Sequence, residues 1–401
     1  MTQNQALSIV KTGANVFLTG EPGSGKTHTV NQYIHYLREH GIAVAVTAST
    51  GIAATHLGGM TIHSWSGIGI RKEISERDLA ALHGITRLVS RVQKTSVLVI
   101  DEISMLEARV LSVVDRALRA LRENNNPFGG IQVVFVGDFF QLPPVSGKDE
   151  QAQFAFESPA WTEANPVVCY LKEQHRQEDV RFTSLLTAVR SGTNSSEDYS
   201  RLLTRKVSVN FEGAMTRLYS HNADVDRVNA VKLQALPGDE QVFYMASQGN
   251  KALVEQLKKG CLSPEKLTLK KGAHVMFTKN NYEEGFVNGT LGEVVGFEDE
   301  LPVVMTKQGR KIGVVPMEWS IEENGRVLAS ITQIPLRLAW AITVHKSQGM
   351  TLDSAIIDLS AAFEYGQGYV ALSRVRTLSG LFLLGLNERA LEVHPEIITA
   401  D

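Results

Sequence analysis

The eight residues GEPGSGKT, from Gly20 to Thr27, constrain this chain more than any other stretch. They lie between a short β-rich run, NVFLT, and an amphipathic one, KTHTVNQYIHYLREH. A strand that breaks into glycines and restarts at once as a helix predicts a parallel strand, a tight loop over its carboxyl end, and a helix packed back on the sheet. Glycines at positions 20, 23 and 25 let successive backbone N–H groups converge on phosphate oxygens, and the helix amino terminus adds partial positive charge. Lys26 can then reach the β and γ phosphates of ATP, and the Thr27 hydroxyl can take Mg. Gly20, Gly23, Ser24, Gly25, Lys26, Thr27 and His28 are the expected nucleotide-binding set. A glycine-rich turn with no ligand is the alternative, and the strand-then-helix setting argues against it.

The same alternation of apolar run, polar cluster and amphipathic stretch recurs in IAVAVT (Ile42–Thr47), SVLVI (Ser96–Ile100) and IQVVFV (Ile131–Val136). It predicts a parallel sheet covered by helices, with ligands bound outside the carboxyl ends of the strands. A second series, VVCYL, TRLYS (Thr216–Ser220), SAIIDL (Ser354–Leu359) and LFLLG (Leu381–Gly385), predicts another α/β lobe. Between its halves, residues 272–332 are rich in Val, Gly and short alternating runs, which reads as a small inserted antiparallel β-barrel. The 401 residues exceed one ordinary core of about 100–200 residues. The expected division is 1–160, then 161–271 with 333–401, with 272–332 inserted. Asn124–Gly130, NNNPFGG, reads as a plain loop.

Polar residues at the ends of the first strand series supply the chemistry. SVLVIDEIS ends its apolar run in Asp101 and Glu102. Asp101 at the strand tip can hold the Mg hydration shell, and Glu102 is set to orient and deprotonate an attacking water. In VFVGDFFQLPPV, Asp138 and Gln141 project at the same sheet edge, where the amide can bond the γ phosphate or the lytic water, and Pro143–Pro144 stiffens the support. Arg176 and Arg374 lie far from the phosphate loop in sequence. A guanidinium delivered from a second lobe stabilises charge on the transferring γ phosphate only when the cleft closes. A surface salt bridge is the alternative role for Arg176.

Composition excludes several classes. Forty Lys and Arg oppose forty-three Asp and Glu, for a formal net charge of −3, so global charge lends no support to nucleic-acid binding. Local charge partly offsets this, with solvated faces as the alternative: 251–279 holds seven lysines against two glutamates, and 71–94 six basic against three acidic residues. Only Cys169 and Cys261 occur, which suggests core thiols rather than disulfides or a zinc site. No run approaches the roughly 18 apolar residues of a membrane span, and the first residues lack a signal or transit pattern. A cytoplasmic protein with no membrane partner is expected.

Six motifs in order, TASTGIAATHLGGMTIHSW, VLVIDEISM, PFGGIQVVFVGDFFQLPPV, LKEQHRQ, AWAITVHKSQGMTLD and YVALSRVRTLSGL, resemble superfamily-one DNA helicases of the petite-integration-frequency branch, relatives of the RecD-like motors. The resemblance covers nearly the whole chain. It implies two RecA-like P-loop NTPase domains in an α/β fold, with a small wedge insertion at about 58–93 and the inserted β-barrel. It further implies an ATP- and Mg-dependent motor that moves 5'-to-3' on single-stranded DNA and unwinds tailed or forked duplex in genome maintenance, with Arg176 and Arg374 as arginine fingers. By the same likeness Gln3 reads adenine, with Gln5 a close competitor. DNA phosphates are placed at Thr50 and Gly51, with a helix cap made by Thr50 as the alternative. His63 and Ser64, beside a Trp65 that could be core, offer further strand contacts, as do His345 and Lys346; Gln348 and Gly349 serve coupling to the nucleotide. A monomer that can pair on DNA is expected. The competing reading is a nucleotide-dependent DNA-binding switch or clamp that separates no strands.

Overall fold

Val16–Gly20, the strand ahead of the phosphate loop, is buried at every position, as a strand covered on both faces must be. In the computed structural model, which describes residues 1–69, 71–144, 153–173, 179–208, 211, 215–281, 283–286, 288–306, 309–323 and 326–400, it is β1 of a six-stranded sheet. Its companions are β2 (Val44–Ala48), β3 (Met60–Thr61), β4 (Val97–Asp101), β5 (Gln132–Val136) and β6 (Val167–Leu171). The order is β3-β2-β4-β5-β1-β6, and every pairing is parallel. Alternation of side chains along the strands divides the core. Val16, Leu18, Val99, Val134 and Val136 join one buried cluster with Val30, Tyr33, Ile34 and Leu37. The latter four are spaced to share one face of a helix. They belong to α2 (Lys26–Glu39), and α1 (Gln3–Val10) adds Ala6 and Val10.

Phe17 and Phe135 are out of phase with that set and meet rings instead. Trp161 lies 5.1 Å from Phe17 and 4.5 Å from Phe135, and Phe139 lies 5.2 Å from Phe17. After β2 come α3 (Gly51–His56), α4 (Ile62–Trp65), α5 (Glu76–His83) and α6 (Thr86–Lys94), followed beyond β4 by α7 (Ala108–Arg122). Two arginines of α7 tie this region down: Arg116 Nη1 donates to the Ile74 carbonyl at 2.9 Å, and Arg122 Nη1 to those of Val92 and Thr95 at 2.8 Å.

NNNPFGG is more than a plain loop. Phe128 is fully buried at φ 52°, and its N–H donates to Asp115 at 2.6 Å. Asp115 also accepts from Arg119 at 2.8 Å. The chain reverses there because an aromatic side chain and a buried carboxylate fix it, a constraint that turn composition does not reveal.

The chain divides into two compact units, Met1–Arg176 with Glu322–Arg326, and Gln177–Ile321 with Val327–Asp401. VVCYL, expected in the second lobe, is instead β6 at the edge of the first sheet, paired with β1 along its length. A short apolar run identifies a strand without saying which sheet it joins; here the Asn15 side chain bridges the segments ahead of β5 and β6, its Oδ1 accepting the Val133 N–H and its Nδ2 donating to the Ala164 carbonyl, both at 2.8 Å.

The chain beyond β6 contains β7 (Thr216–Tyr219), β8 (Gln241–Tyr244), β9 (Ala246–Gly249), β10 (Lys266–Leu269), β11 (His274–Phe277), β12 (Leu291–Glu298), β13 (Leu301–Thr306), β14 (Lys311–Gly313), β15 (Met317–Glu323), β16 (Arg326–Gln333), β17 (Leu336–Leu338), β18 (Ala341–Thr343), β19 (Ala355–Leu359) and β20 (Leu381–Leu386). Four of them form a parallel sheet in the order β18-β7-β19-β20. The edge strand β18 is the AIT of the AWAITVHKSQG motif. The antiparallel region consists of open sheets: β14-β13-β12-β11-β17, β15-β16-β9 and β10-β8. Among the described residues none closes into a barrel. Strands from outside 272–332, β17 and β9, take the edges that closure would have joined.

Candidate functional site

The phosphate loop is held from three sides. Gly20 has φ 144°, and a Cβ there would lie 2.6 Å from the Leu171 carbonyl of β6, so that neighbouring strand excludes any larger residue. Gly25 precedes α2 at φ 88°, and a Cβ on it would collide with the Gln3 amide. Gly23 has φ 89°. Gln3 Nε2 reaches the Ser24 carbonyl at 3.4 Å, so α1 lies against the loop. Gln5, its competitor, is committed elsewhere: it closes the capping box of α1, accepting the Thr2 N–H at 2.9 Å.

Lys26 Nζ donates to the carbonyls of Gly20 at 2.6 Å and Glu21 at 3.1 Å, curled over the loop that it leaves. The Ser24 hydroxyl is buried with no hydrogen-bond partner among the described residues, a polar atom suited to a phosphate oxygen. Thr27 and His28 are exposed on the first turn of α2.

Asp101 ends β4, two strands from β1, with β5 between them. Burial pushes its carboxyl up to about 6, opposed by the Glu102 N–H, which donates to it at 2.9 Å, and by the charge of Lys26. The phosphate-loop lysine and the strand-tip carboxylate are therefore electrostatic neighbours. Glu102 follows at φ 51° and ψ 46°, a left-handed conformation that costs a side-chain-bearing residue about 1–2 kcal/mol and concentrates at functional positions.

The exit of β5, lying between the two, carries Asp138 and Gln141. Asp138 is fully buried and Gln141 nearly so. Asp138 accepts from Gln141 Nε2 at 3.3 Å and from the Phe140 N–H at 3.2 Å. Pro143 and Pro144 are not alone in stiffening this loop. Phe139 packs into rings at 5.2 Å (Phe17), 6.0 Å (Phe154), 4.9 Å (Phe156) and 5.9 Å (Trp161). The sheet thus gathers Gln3, Ser24, Lys26, Asp101, Glu102 and Gln141 at one edge.

Beyond β2, Thr50 accepts the Ala53 N–H at 3.3 Å and so starts α3, with Gly51 its first residue. Capping is therefore one of its roles. His63 and Ser64 are half-buried in α4, where burial pushes the His63 imidazole down. Trp65 is core, 3% exposed.

In the second unit His345 and Lys346 follow β18. His345 Nε2 is 3.3 Å from Glu364. Burial lowers the Lys346 ammonium and nearby Arg337 lowers it further, with Asp226 acting in the opposite sense. Gly349 has φ 78°. Arg374 is 1% exposed; its Nε donates to the Val370 carbonyl at 2.8 Å and its Nη2 to the Ser373 hydroxyl at 2.7 Å. Arg176 lies outside the described residues.

Residues 2–200 match the PIF1-like helicase family and residues 252–297 the 2B domain of the DNA helicase Pif1. The chain is 46% identical over its whole length to the ATP-dependent DNA helicase Pif1 of Psychrobacter sp., spanning 70% of that protein. It is 40% identical over 99% of its length to the ATP-dependent DNA helicase PIF1 of Homo sapiens, spanning 62% of it. This chain belongs to the PIF1-like helicases. Bacteroides Pif1 structures are similar along 99% of the chain and 95% of theirs, in complex with ADP-AlF4 (32% identity, TM-score 0.85) and bound to ssDNA (31%, TM-score 0.67).

For a PIF1-like helicase the donor set fits Mg. Asp101 is a carboxyl whose ionised form burial disfavours, so a cation beside it would be welcome, and the exposed Thr27 hydroxyl is free of steric cover. Two residues of this site carry no sequence signal of their own. Phe139 reads as an ordinary loop aromatic until its rings are seen. Ser49, one residue past β2, donates its hydroxyl to the Glu102 carbonyl at 2.7 Å, and only the register of β2 against β4 could have paired them.

Proposed function

We propose that this PIF1-like helicase hydrolyses ATP with Mg and uses the cycle to move 5'-to-3' on single-stranded DNA, separating tailed or forked duplex. The gathering of Lys26, Asp101 and Glu102 at one sheet edge supports the reading most. In it, Lys26 exchanges the carbonyls of Gly20 and Glu21 for β and γ phosphate oxygens, and Gln3 reads the adenine. Thr27 and Asp101 would hold Mg, which would supply positive charge beside the phosphates. Glu102 accepts a proton from the attacking water, and Gln141 orients that water. Arg374, and Arg176 by the same motif logic, stabilise the transferring phosphoryl group.

Single-stranded DNA, the ligand of the Bacteroides relative, is assigned to Thr50, Gly51, His63, Ser64, His345 and Lys346, with Gly349 coupling strand to nucleotide. Contacts of this kind track the backbone without reading sequence. The helices of 58–93 serve as the wedge, and 272–332 as an antiparallel β insertion between the halves 177–271 and 333–401 of the second lobe. A cytoplasmic monomer that pairs on DNA completes the reading.

Strand displacement on duplexes tailed at the 5' or the 3' end, with ATP turnover measured with and without single-stranded oligonucleotide, tests it. Unwinding of the 5'-tailed substrate alone is expected. DNA-stimulated turnover without displacement would instead support a nucleotide-dependent clamp.

A further inference from the structure

Ser49 leaves the sheet level with the two catalytic carboxylates and grips both of their backbones. Ala48 and Asp101 are aligned across β2 and β4. One residue further, the Ser49 N–H donates to the Asp101 carbonyl at 3.0 Å, and its hydroxyl donates to the Glu102 carbonyl at 2.7 Å. The Glu102 carbonyl also accepts the Met105 N–H at 3.1 Å. Its left-handed turn takes that carbonyl off the strand ladder, so its donors must come from elsewhere. Met105 supplies one within the same turn. Ser49 supplies one that reaches across from another strand.

On its other side Ser49 is bonded directly to Thr50, whose hydroxyl and carbonyl start α3. Ser49 therefore has a rigid grip on the catalytic turn at one end and the amino terminus of α3 at the other. Thr47 adds a stitch upstream, its hydroxyl donating to the Val99 carbonyl at 2.7 Å, which braces β2 against β4 and leaves Ser49 as the covalent link from that braced strand to Thr50–Gly51.

We propose that Ser49 is a positioning residue whose hydroxyl holds the Glu102 backbone in the orientation that aims its carboxylate, and that transmits displacement of Thr50–Gly51 to that carboxylate. The inference rests on the reading of the chain as a DNA-stimulated ATPase, with Thr50–Gly51 touching the strand. Ser49→Ala deletes the side-chain bond and keeps the backbone one; Ser49→Thr restores a hydroxyl.

The test measures ATP turnover with and without oligothymidylate, KM for ATP, oligonucleotide Kd by anisotropy, and Tm. Ser49→Ala should lower the DNA-stimulated kcat about tenfold, the effect of one positioning hydrogen bond, with KM and Kd within about twofold of wild type. Ser49→Thr should recover most of the loss. Unchanged kcat in Ser49→Ala, or KM and Kd worsening in step with it, would overturn the proposal, as would failure of a well-folded Ser49→Thr to recover. A wild-type chain that DNA does not stimulate would sink the motor reading instead, and the basal kcat of the two variants would still judge the grip on Glu102.

Discussion

Glu102 sits where a glycine would be more comfortable and a glycine would be useless. Its backbone strain and its carboxylate make opposite predictions for one position. Glu102→Gln should keep the fold and cut ATP turnover by about 10²–10⁴-fold, the usual weight of a general base. Glu102→Gly should be as inactive, yet more stable by up to about 1 kcal/mol in urea unfolding, because the left-handed conformation no longer meets a Cβ. Asp101 gives a pH signature. Its carboxyl is raised to about 6 in the fold, above the roughly 3.9 of an unfolded chain. The folded state thus holds the proton longer, and stability from this group is greatest below about pH 4 and declines as pH rises to 6. The decline is of the order of 2 kcal/mol; Asp101→Asn should flatten it in denaturation at pH 4.5 and 7.5. Gly25→Ala would drive a Cβ into Gln3 and should weaken ATP affinity at least tenfold in an equilibrium titration, since both the loop and α1 must give way.

Elements explain why those residues stay put, and they also mark how much the text of the chain revealed. The phosphate loop, DEIS and the strand runs around them were legible because local rules generate them: glycines where backbone must approach a ligand, apolar runs of strand length, a helix restarting at Lys26. Rules of that kind stop at the pairing of distant segments. The same limits apply to Ser49 against Glu102, to β17 and β9 taking the edges of the antiparallel sheets, and to Phe139, whose four ring partners range from Phe17 to Trp161. Phe139→Ala should therefore cost about 3–5 kcal/mol in chemical denaturation. It should also lower turnover beyond what stability explains, because Gln141 stands two residues along the same loop. A Gln141 held by its prolines alone would leave turnover at native conditions unaltered.

For the whole molecule the near-neutral charge balance matters less than where cations are kept. Lys346 is pressed by burial and by Arg337 toward losing its proton, and a phosphate laid against it would reverse that tendency. Lys346→Ala should weaken single-stranded DNA binding at least threefold and reduce the salt dependence of log Kd by about 0.7, one phosphate contact on a single strand. An unchanged salt slope in fluorescence anisotropy would remove Lys346 from the track.

The seating of β6 beside β1 has a practical consequence for anyone dissecting this protein. A fragment stopped at residue 160 would strip the strand that flanks the phosphate-loop strand and leave its amides bare, a template for sticking to other copies. Cutting at the unit boundary after Arg176 would keep that flank covered, and with it the Glu173 carboxylate that accepts the Gln3 N–H at 3.2 Å, so that the ATP-gripping half could stand alone.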